Sequence, residues 1–502
     1  MIANRSIAHG LCLDDGKPAR LLALLLTAHV IAWTLYGTVG LAGGVHEDML
    51  EAWVWGKELQ PGYFKHPPVF AWVAGAWFRV FPIADWSFYL LAALNSALGL
   101  WAVWLLAGLF VEGPRRLAAV FIAMLTPLYG ALALKFNANS VLLASWPLAA
   151  WFFVRSLRER RPGDSIGLGL SCALAVLSKY YSVLLLVAFA VVALTHPARR
   201  AYWRSRAPYL AAAVGLLAVA PHLMWLVQTD GQTFTYAGTK FGFDAAKTLQ
   251  WAAVTALAPV LFFSAPIVLL IGLKRERWVA AAASFHAWAR DPGHSRLGLI
   301  AFAPFLLTLL WGLGAVKVSI AYTIPIFFLV PILIVLALPD LFQPHVIRRL
   351  GVAAGVVMGA VALASPLLGY VRFATDTRAA IEPRAEVARE LTREWRARFK
   401  RPLQLVAGST AYASSIPFYS ADHPSQFINF AFATAPWVTP ERLAREGLLV
   451  VCEDADPTGC LDQLAQRTTS RSIRLDRSFA RSAYGRTAPP VALKILLVPP
   501  AE

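Results

Sequence analysis

Charge is scarce in this sequence: Asp, Glu, Lys and Arg make up 15% of 502 residues, against 58% hydrophobic residues and a mean hydropathy of +0.56. That balance excludes an ordinary soluble globular chain. Cysteine is scarcer still, four residues with no CxxC pair and no metal-finger spacing, which excludes a disulfide scaffold or a zinc module. A Walker loop, a dinucleotide fingerprint, an HExxH and a GxSxG are also missing, so nucleotide hydrolysis and a soluble nucleotide-sugar pocket are disfavoured.

What the sequence has instead is long apolar runs. Segments able to cross a bilayer of about 30 Å recur at about 21–43, 87–111, 117–134, 140–155, 165–178, 180–195, 209–227, 251–273, 298–316, 319–338 and 350–371. The expected class is a polytopic α-helical membrane protein with about eleven transmembrane helices. The net charge of +17 is mostly topological: with a cytoplasmic N-terminus, the tail and alternate turns hold 20 Lys and Arg, against eight on the opposite side up to the last span. This is the positive-inside asymmetry, and it argues against nucleic acid as a partner. Residues 1–20 show no cleavable leader and are read as a cytoplasmic tail, with the first helix as signal anchor.

An odd number of spans puts everything after residue 371 on the exterior, periplasmic in a Gram-negative host. There "RAEVARELTREWRARFKR" is expected to be helical, and "LQLVAG", "GLLVVC" and "ALKILLVPP" read as strands, so residues 372–502 are expected to form an α/β domain. Cys452 and Cys460 fall there and either pair or stay free. Cys12 and Cys172 look structural.

The informative stretch is the first exterior loop, 44–86, within the spanning domain 21–371. "GGVHEDMLEAWVWGKELQPGYFKHPPVFAW" alternates charge with Trp, Tyr and Phe, the composition of a loop lying in the membrane interface. Its polar groups would face the head group of a lipid-linked substrate.

The acidic pair in this loop, then "W-x-W-G", "GYFKHPP", "KFNANS" and "LSKYYS", resembles the GT-C membrane glycosyltransferases of the protein-mannosyltransferase-like group. Within it the sequence is similar to rhizobial lipopolysaccharide galacturonosyltransferases and, more distantly, to the aminoarabinose transferases of lipid A. The resemblance implies a multi-pass protein of the bacterial inner membrane with a periplasmic active site and domain. It implies a polyprenyl-phosphate-linked sugar as donor and a lipid or polysaccharide acceptor, and a carboxylate general base early in the loop, which aligns with Asp48, next to Glu47.

The chemistry agrees, since attack by a hydroxyl on an anomeric carbon needs a carboxylate to take the proton, and a carboxylate at the end of a membrane helix is costly without a use. The sequence departs from the family pattern at Met49 after Asp48, at Lys65 before the His-Pro-Pro step, and at Asn137 and Asn139 in place of an acidic loop. No cofactor is certain, and a divalent metal is disfavoured because hard cations prefer carboxylate oxygens. Candidates for the substrate site are Lys65, His66, Lys135, Asn137, Asn139, Lys179, Tyr236 and Lys317, the lysines to neutralise a departing phosphate. Lys179 is equally readable as a snorkelling lysine, Lys65 as a solvated loop charge, and His66 as a plain turn residue. His222 reads as a helix-packing histidine. A flippase of lipid-linked sugars would need polar groups near the membrane midplane, whereas here they gather at one face.

Overall fold

A computed structural model describes residues 16–239, 242, 244–272, 275–312, 320–454 and 459–501. Lys317, Lys240 and Cys12 lie outside the described residues. Among those described, six helical segments are long and apolar enough to span a membrane: Pro18–Gly40, Asp85–Ala107, Ala207–Gln228, Ala245–Ile271, Ile320–Ala337 and Pro344–Ala374. Shorter apolar helices cover Pro162–Ser178, Tyr180–Thr195 and Arg296–Gly312. This is a multi-pass helical membrane protein, with proline inside Ala207–Gln228, Ala245–Ile271 and Pro344–Ala374, a residue that membrane helices tolerate where other groups re-satisfy the freed backbone.

Two of the eleven expected segments, 117–134 and 140–155, are not among these helices. In 117–134 the helix stops at Met124, and the chain turns through Thr126-Pro127 and on to residue 141. Pro127 disfavours the α conformation at Thr126, whose hydroxyl closes the last turn on Ala123 O at 2.6 Å. In 140–155 the helix is Leu142–Glu159, but it carries Arg155, Arg158 and Glu159, which leaves an apolar length of about 20 Å at 1.5 Å per residue. Residues 320–337 begin as short 3₁₀ turns around Pro325 and become α-helical from Val330.

The first loop is not an interfacial strap. It folds into helices Glu47–Glu58 and Val69–Trp77, whose Trp53, Trp55 and Phe70 are buried inside the protein together with Tyr63 of the turn between them. They share one apolar cluster with Phe88 and Phe136 from the membrane bundle and with Leu405, Phe418, Leu448 and Leu496 from the C-terminal region. The aromatic residues that suggested a lipid surface are the joint between two parts of the molecule.

After the helix Pro344–Ala374 the chain forms helix Arg384–Phe399 and a five-stranded mixed sheet. Its strands are β1 Leu405–Gly408, β2 Ser425–Gln426, β3 Leu448–Glu453, β4 Ile473–Phe479 and β7 Val491–Val498, with β5 Ser482–Ala483 and β6 Arg486–Thr487 as a separate ribbon. The order is β2-β1-β3-β7-β4, parallel through β3 and antiparallel beyond. Alternation along the strands divides the core. Val406, Leu449, Val451, Ile495 and Leu497 pack with Leu391 and Trp395 of helix Arg384–Phe399. Leu405, Ala407, Leu448, Val450 and Leu496 join the cluster of the first loop. Cys452 and Cys460 are disulfide-bonded, and Cys172 is free.

Candidate active site

Helix Glu47–Glu58 begins at His46, whose Nδ1 accepts the Asp48 N–H at 3.1 Å and so caps the first turn. Neutral imidazole is the form that can accept, and burial first and Lys135 second lower the His46 pKa to about 4. Glu47 and Asp48 sit in that first turn, where the helix dipole favours negative charge. Glu51 follows Asp48 by one turn on the same face.

The loop 135–140 closes over this turn. Asn137 is buried, and its Oδ1 accepts the N–H groups of Asn139 (2.9 Å) and Ser140 (3.1 Å). That fixes the amide so that Nδ2 donates to Asp48 Oδ2 at 2.9 Å. Lys135 Nζ lies 3.0 Å from the same oxygen. Burial raises the Asp48 carboxyl, but Lys135, the Asn137 amide and His46 outweigh it and hold the group below the usual carboxylate range. Its side chain is still 35% exposed, so the ionised carboxylate is open to a substrate.

Lys65 Nζ pairs with Glu51 Oε2 at 2.9 Å, with the two side chains 25% and 23% exposed. Burial works against the Lys65 charge, and Glu51 more than restores it. Burial raises the Glu51 carboxyl, and the contact with Lys65 offsets only part of that rise. Paired in this way, Lys65 is neither a solvated loop charge nor a free cation. Lys179 is buried at the C-cap of helix Pro162–Ser178, where the chain becomes extended. It donates to Asn139 Oδ1 and lies 3.7 Å over the ring of Tyr322. Although it stands at a helix end, its side chain is buried in the protein and does not snorkel. A polar chain thus runs from Lys135 and Asp48 through Asn137 and Asn139 to Lys179.

The remaining candidates sit beside it. Backbone bonds Tyr63 N to His66 O (3.1 Å) and His66 N to Tyr63 O (3.2 Å) tighten the turn before Pro67-Pro68. The His66 ring lies 5.7 Å from Phe70 and 6.4 Å from Trp55. Tyr236, in helix Gln232–Gly238, reaches the same aromatic group through Phe64 at 5.8 Å. His222 is a packing residue: its Nδ1 bonds Pro61 O at 2.8 Å and its Nε2 bonds the Tyr180 hydroxyl. Glu47 turns away from Asp48 to Arg384, 3.3 Å distant. Sequence reasoning did not find His46, Ser140, Tyr322 or Arg384. His46 is atypical as a helix cap, and Arg384 is separated from Glu47 by 337 residues.

Among the described residues no three His, Cys, Asp or Glu side chains gather as a metal site. The three carboxylates of the first two helical turns each face a cation instead: Glu47 with Arg384, Asp48 with Lys135, Glu51 with Lys65. Such a donor set repels a divalent ion at close range and does not fit one.

Residues 65–225 match the family model of the dolichyl-phosphate-mannose-protein mannosyltransferases. The chain is 26% identical over 252 residues to the lipid A galacturonosyltransferase RgtD of Rhizobium johnstonii, covering 47% of this chain and 52% of that protein. It is 25% identical over 392 residues to the lipopolysaccharide core galacturonosyltransferase RgtB of the same organism, covering 73% and 76%. The match to RgtD therefore spans about half of that relative's length. In structure the chain is similar to ArnT from Cupriavidus metallidurans bound to undecaprenyl phosphate, with a TM-score of 0.60 at 15% identity, covering 95% of this chain and 98% of ArnT. The helical bundle and the appended sheet give this chain the fold of ArnT, and its sequence is similar to those of membrane glycosyltransferases.

Proposed function

We propose that this protein transfers a sugar from a polyprenyl-phosphate donor to a cell-envelope acceptor, lipid A or the lipopolysaccharide core, with Asp48 as general base. The observation that carries this reading is the Asp48 carboxylate, kept ionised by Lys135 and Asn137 and still open to a substrate. The acceptor hydroxyl forms a bond to the anomeric carbon and gives its proton to Asp48 as the bond from that carbon to the phosphate oxygen breaks. A base held below the usual carboxylate range is a weak one, but no fraction of it is lost to protonation at neutral pH.

The electron pair of the breaking bond leaves on the phosphate. Lys65, Lys135 and Lys179 would stabilise that charge from fixed positions, and Lys65 and Lys135 would each exchange part of a carboxylate contact for the phosphate. Asn137 and Asn139 hold this geometry, Tyr236 and His66 supply the wall against which a sugar ring packs, and Lys317 is a further candidate for the phosphate. No step needs a metal. The names of the two curated relatives support an acceptor in lipopolysaccharide, and the undecaprenyl phosphate bound to ArnT supports the donor class. The charge asymmetry supports an active site and C-terminal domain on the periplasmic side of an inner membrane.

Mass spectrometry of envelope lipids and polysaccharides from cells with and without the gene tests this reading. A missing sugar increment that returns with the wild-type gene, and not with an Asp48→Asn gene, is the expected result. Identical envelopes would reject it.

A further inference from the structure

The segment leading into the Asp48 helix is gripped from outside. Residues 41–46 are irregular and include the left-handed Ala42 (φ 57°) and Gly44 (φ 71°), so no regular hydrogen-bond ladder fixes the direction in which helix Glu47–Glu58 starts. Tyr89, on helix Asp85–Ala107, donates to the Gly44 carbonyl at 2.6 Å. The C-terminal α/β region supplies a larger share. Val45 N–H donates to the Tyr419 hydroxyl (3.2 Å), which donates to Asp85 Oδ1 (2.9 Å). Arg384 donates through Nη1 to the Val45 carbonyl (3.1 Å) and through Nη2 to Glu47 (3.3 Å), while its Nε is held by Glu382 at 2.7 Å. Arg481 bridges the carbonyls of Ala42 and Ala380.

The two glycines allow this approach. A Cβ on Gly43 would lie 2.1 Å from the Ala379 carbonyl oxygen, and one on Gly44 would lie 2.4 Å from the Tyr419 hydroxyl. Helix Glu47–Glu58 also rests on helix Thr410–Tyr419, with Trp53 edge-on to Phe418 at 6.5 Å.

We propose that the C-terminal domain takes part in the chemical step by aiming Asp48, with Arg384 and Tyr419 as positioning residues that hold the backbone of residues 42–47. This role presupposes Asp48 as the base. Neither residue touches substrate. The Arg384 side chain is only 9% exposed and is paired with the equally buried Glu382. A buried ion pair of that kind adds little net stability, because desolvation offsets its attraction. Its effect is geometric, since a planar guanidinium anchored on one side fixes the Val45 carbonyl and the Glu47 carboxylate on the other. Release of that hold lets the first helical turn tilt, and a carboxylate displaced by about 1 Å costs about a hundredfold in rate.

The test uses the full chain purified in detergent, with polyprenyl-phosphate-linked galacturonic acid and lipid A as probes. Arg384→Met is expected to lower kcat by about tenfold to a hundredfold with donor KM unchanged, and Arg384→Lys to recover part of it. The acid limb of kcat should move to higher pH in Arg384→Met, because a tilted Asp48 leaves Lys135 and Asn137. Hydrogen exchange at residues 42–48 should quicken in Arg384→Met and in Tyr419→Phe, which removes one hydroxyl, with exchange elsewhere unchanged. Wild-type kcat and acid limb in Arg384→Met, beside an inert Asp48→Asn, would overturn the clamp alone. A transfer-competent Asp48→Asn would overturn the base assignment and the clamp with it. The exchange measurement needs no substrate, so unchanged exchange across 42–48 in Tyr419→Phe overturns the clamp whatever sugar is moved and whether or not Arg384→Met folds.

Discussion

Replacing Lys135 by Met should move the acid limb of transfer to higher pH by about half a unit to one unit. Lys135 Nζ is 3.0 Å from Asp48 Oδ2, where two unit charges attract by about 1.4 kcal/mol in a water-like dielectric and about 5.5 kcal/mol at an effective constant of 20. The Lys135 and Asp48 side chains are 40% and 35% exposed, so solvent screening places the effect at the lower end, about 0.7–1.4 kcal/mol. The sign follows from the carboxyl being held below its ordinary value. Its contribution to stability is present above the unfolded value of about 3.9 and is lost as pH falls through the lower folded value. Lys135→Met removes that contribution at neutral pH and raises the pH at which Asp48 takes up its proton. The assay is the pH profile of kcat. His46, which Lys135 also lowers, is removed as a second titrating group by repeating the pair in a His46→Asn background, asparagine being a strong helix cap. An acid limb that stays in place or moves to lower pH in both backgrounds would refute the pairing of Lys135 with a carboxylate that acts as the base.

Because Glu47, Asp48 and Glu51 are each faced by a cation, transfer should survive EDTA, whereas Lys179→Ala should lower its rate about tenfold or more; loss of activity on chelation, restored by a divalent ion, with Lys179→Ala nearly silent, would reverse that reading. Gly43→Ala should cost about 1–3 kcal/mol in unfolding measurements, since its Cβ meets backbone at Ala379. Gly163→Ala, with nothing within 4 Å of the new Cβ, should be neutral or slightly stabilising. Equal melting temperatures for these two variants would contradict the close contact at residues 43 and 379.

The legible parts of the molecule were those with a local signal. Apolar length marked the spans, although the chain turn at Thr126-Pro127 shows how one proline divides a run that hydropathy alone joins. The three apolar runs of the C-terminal region became β1, β3 and β7. β4 went unseen because it is an edge strand whose outward residues include Arg474 and Asp476, charges that protect an edge and mask the apolar alternation. Asp48 stood out because a carboxylate beside a membrane helix needs a reason. What holds it could not be read in the same way. Asn137 is 89 residues away and Arg384 is 337 residues from Glu47, distances at which only the fold decides contact. The loop aromatics misled for a related reason: their composition suits a lipid interface, and the C-terminal sheet that buries them sits more than 300 residues further along.

The most direct test of the account is single-turnover transfer by purified Asp48→Asn in detergent, with donor binding measured on the same sample. The amide keeps the size and much of the hydrogen bonding of the carboxylate but cannot take up the acceptor proton. The account predicts wild-type expression and donor affinity with transfer reduced by at least about a hundredfold. Transfer near the wild-type rate by that variant would contradict it.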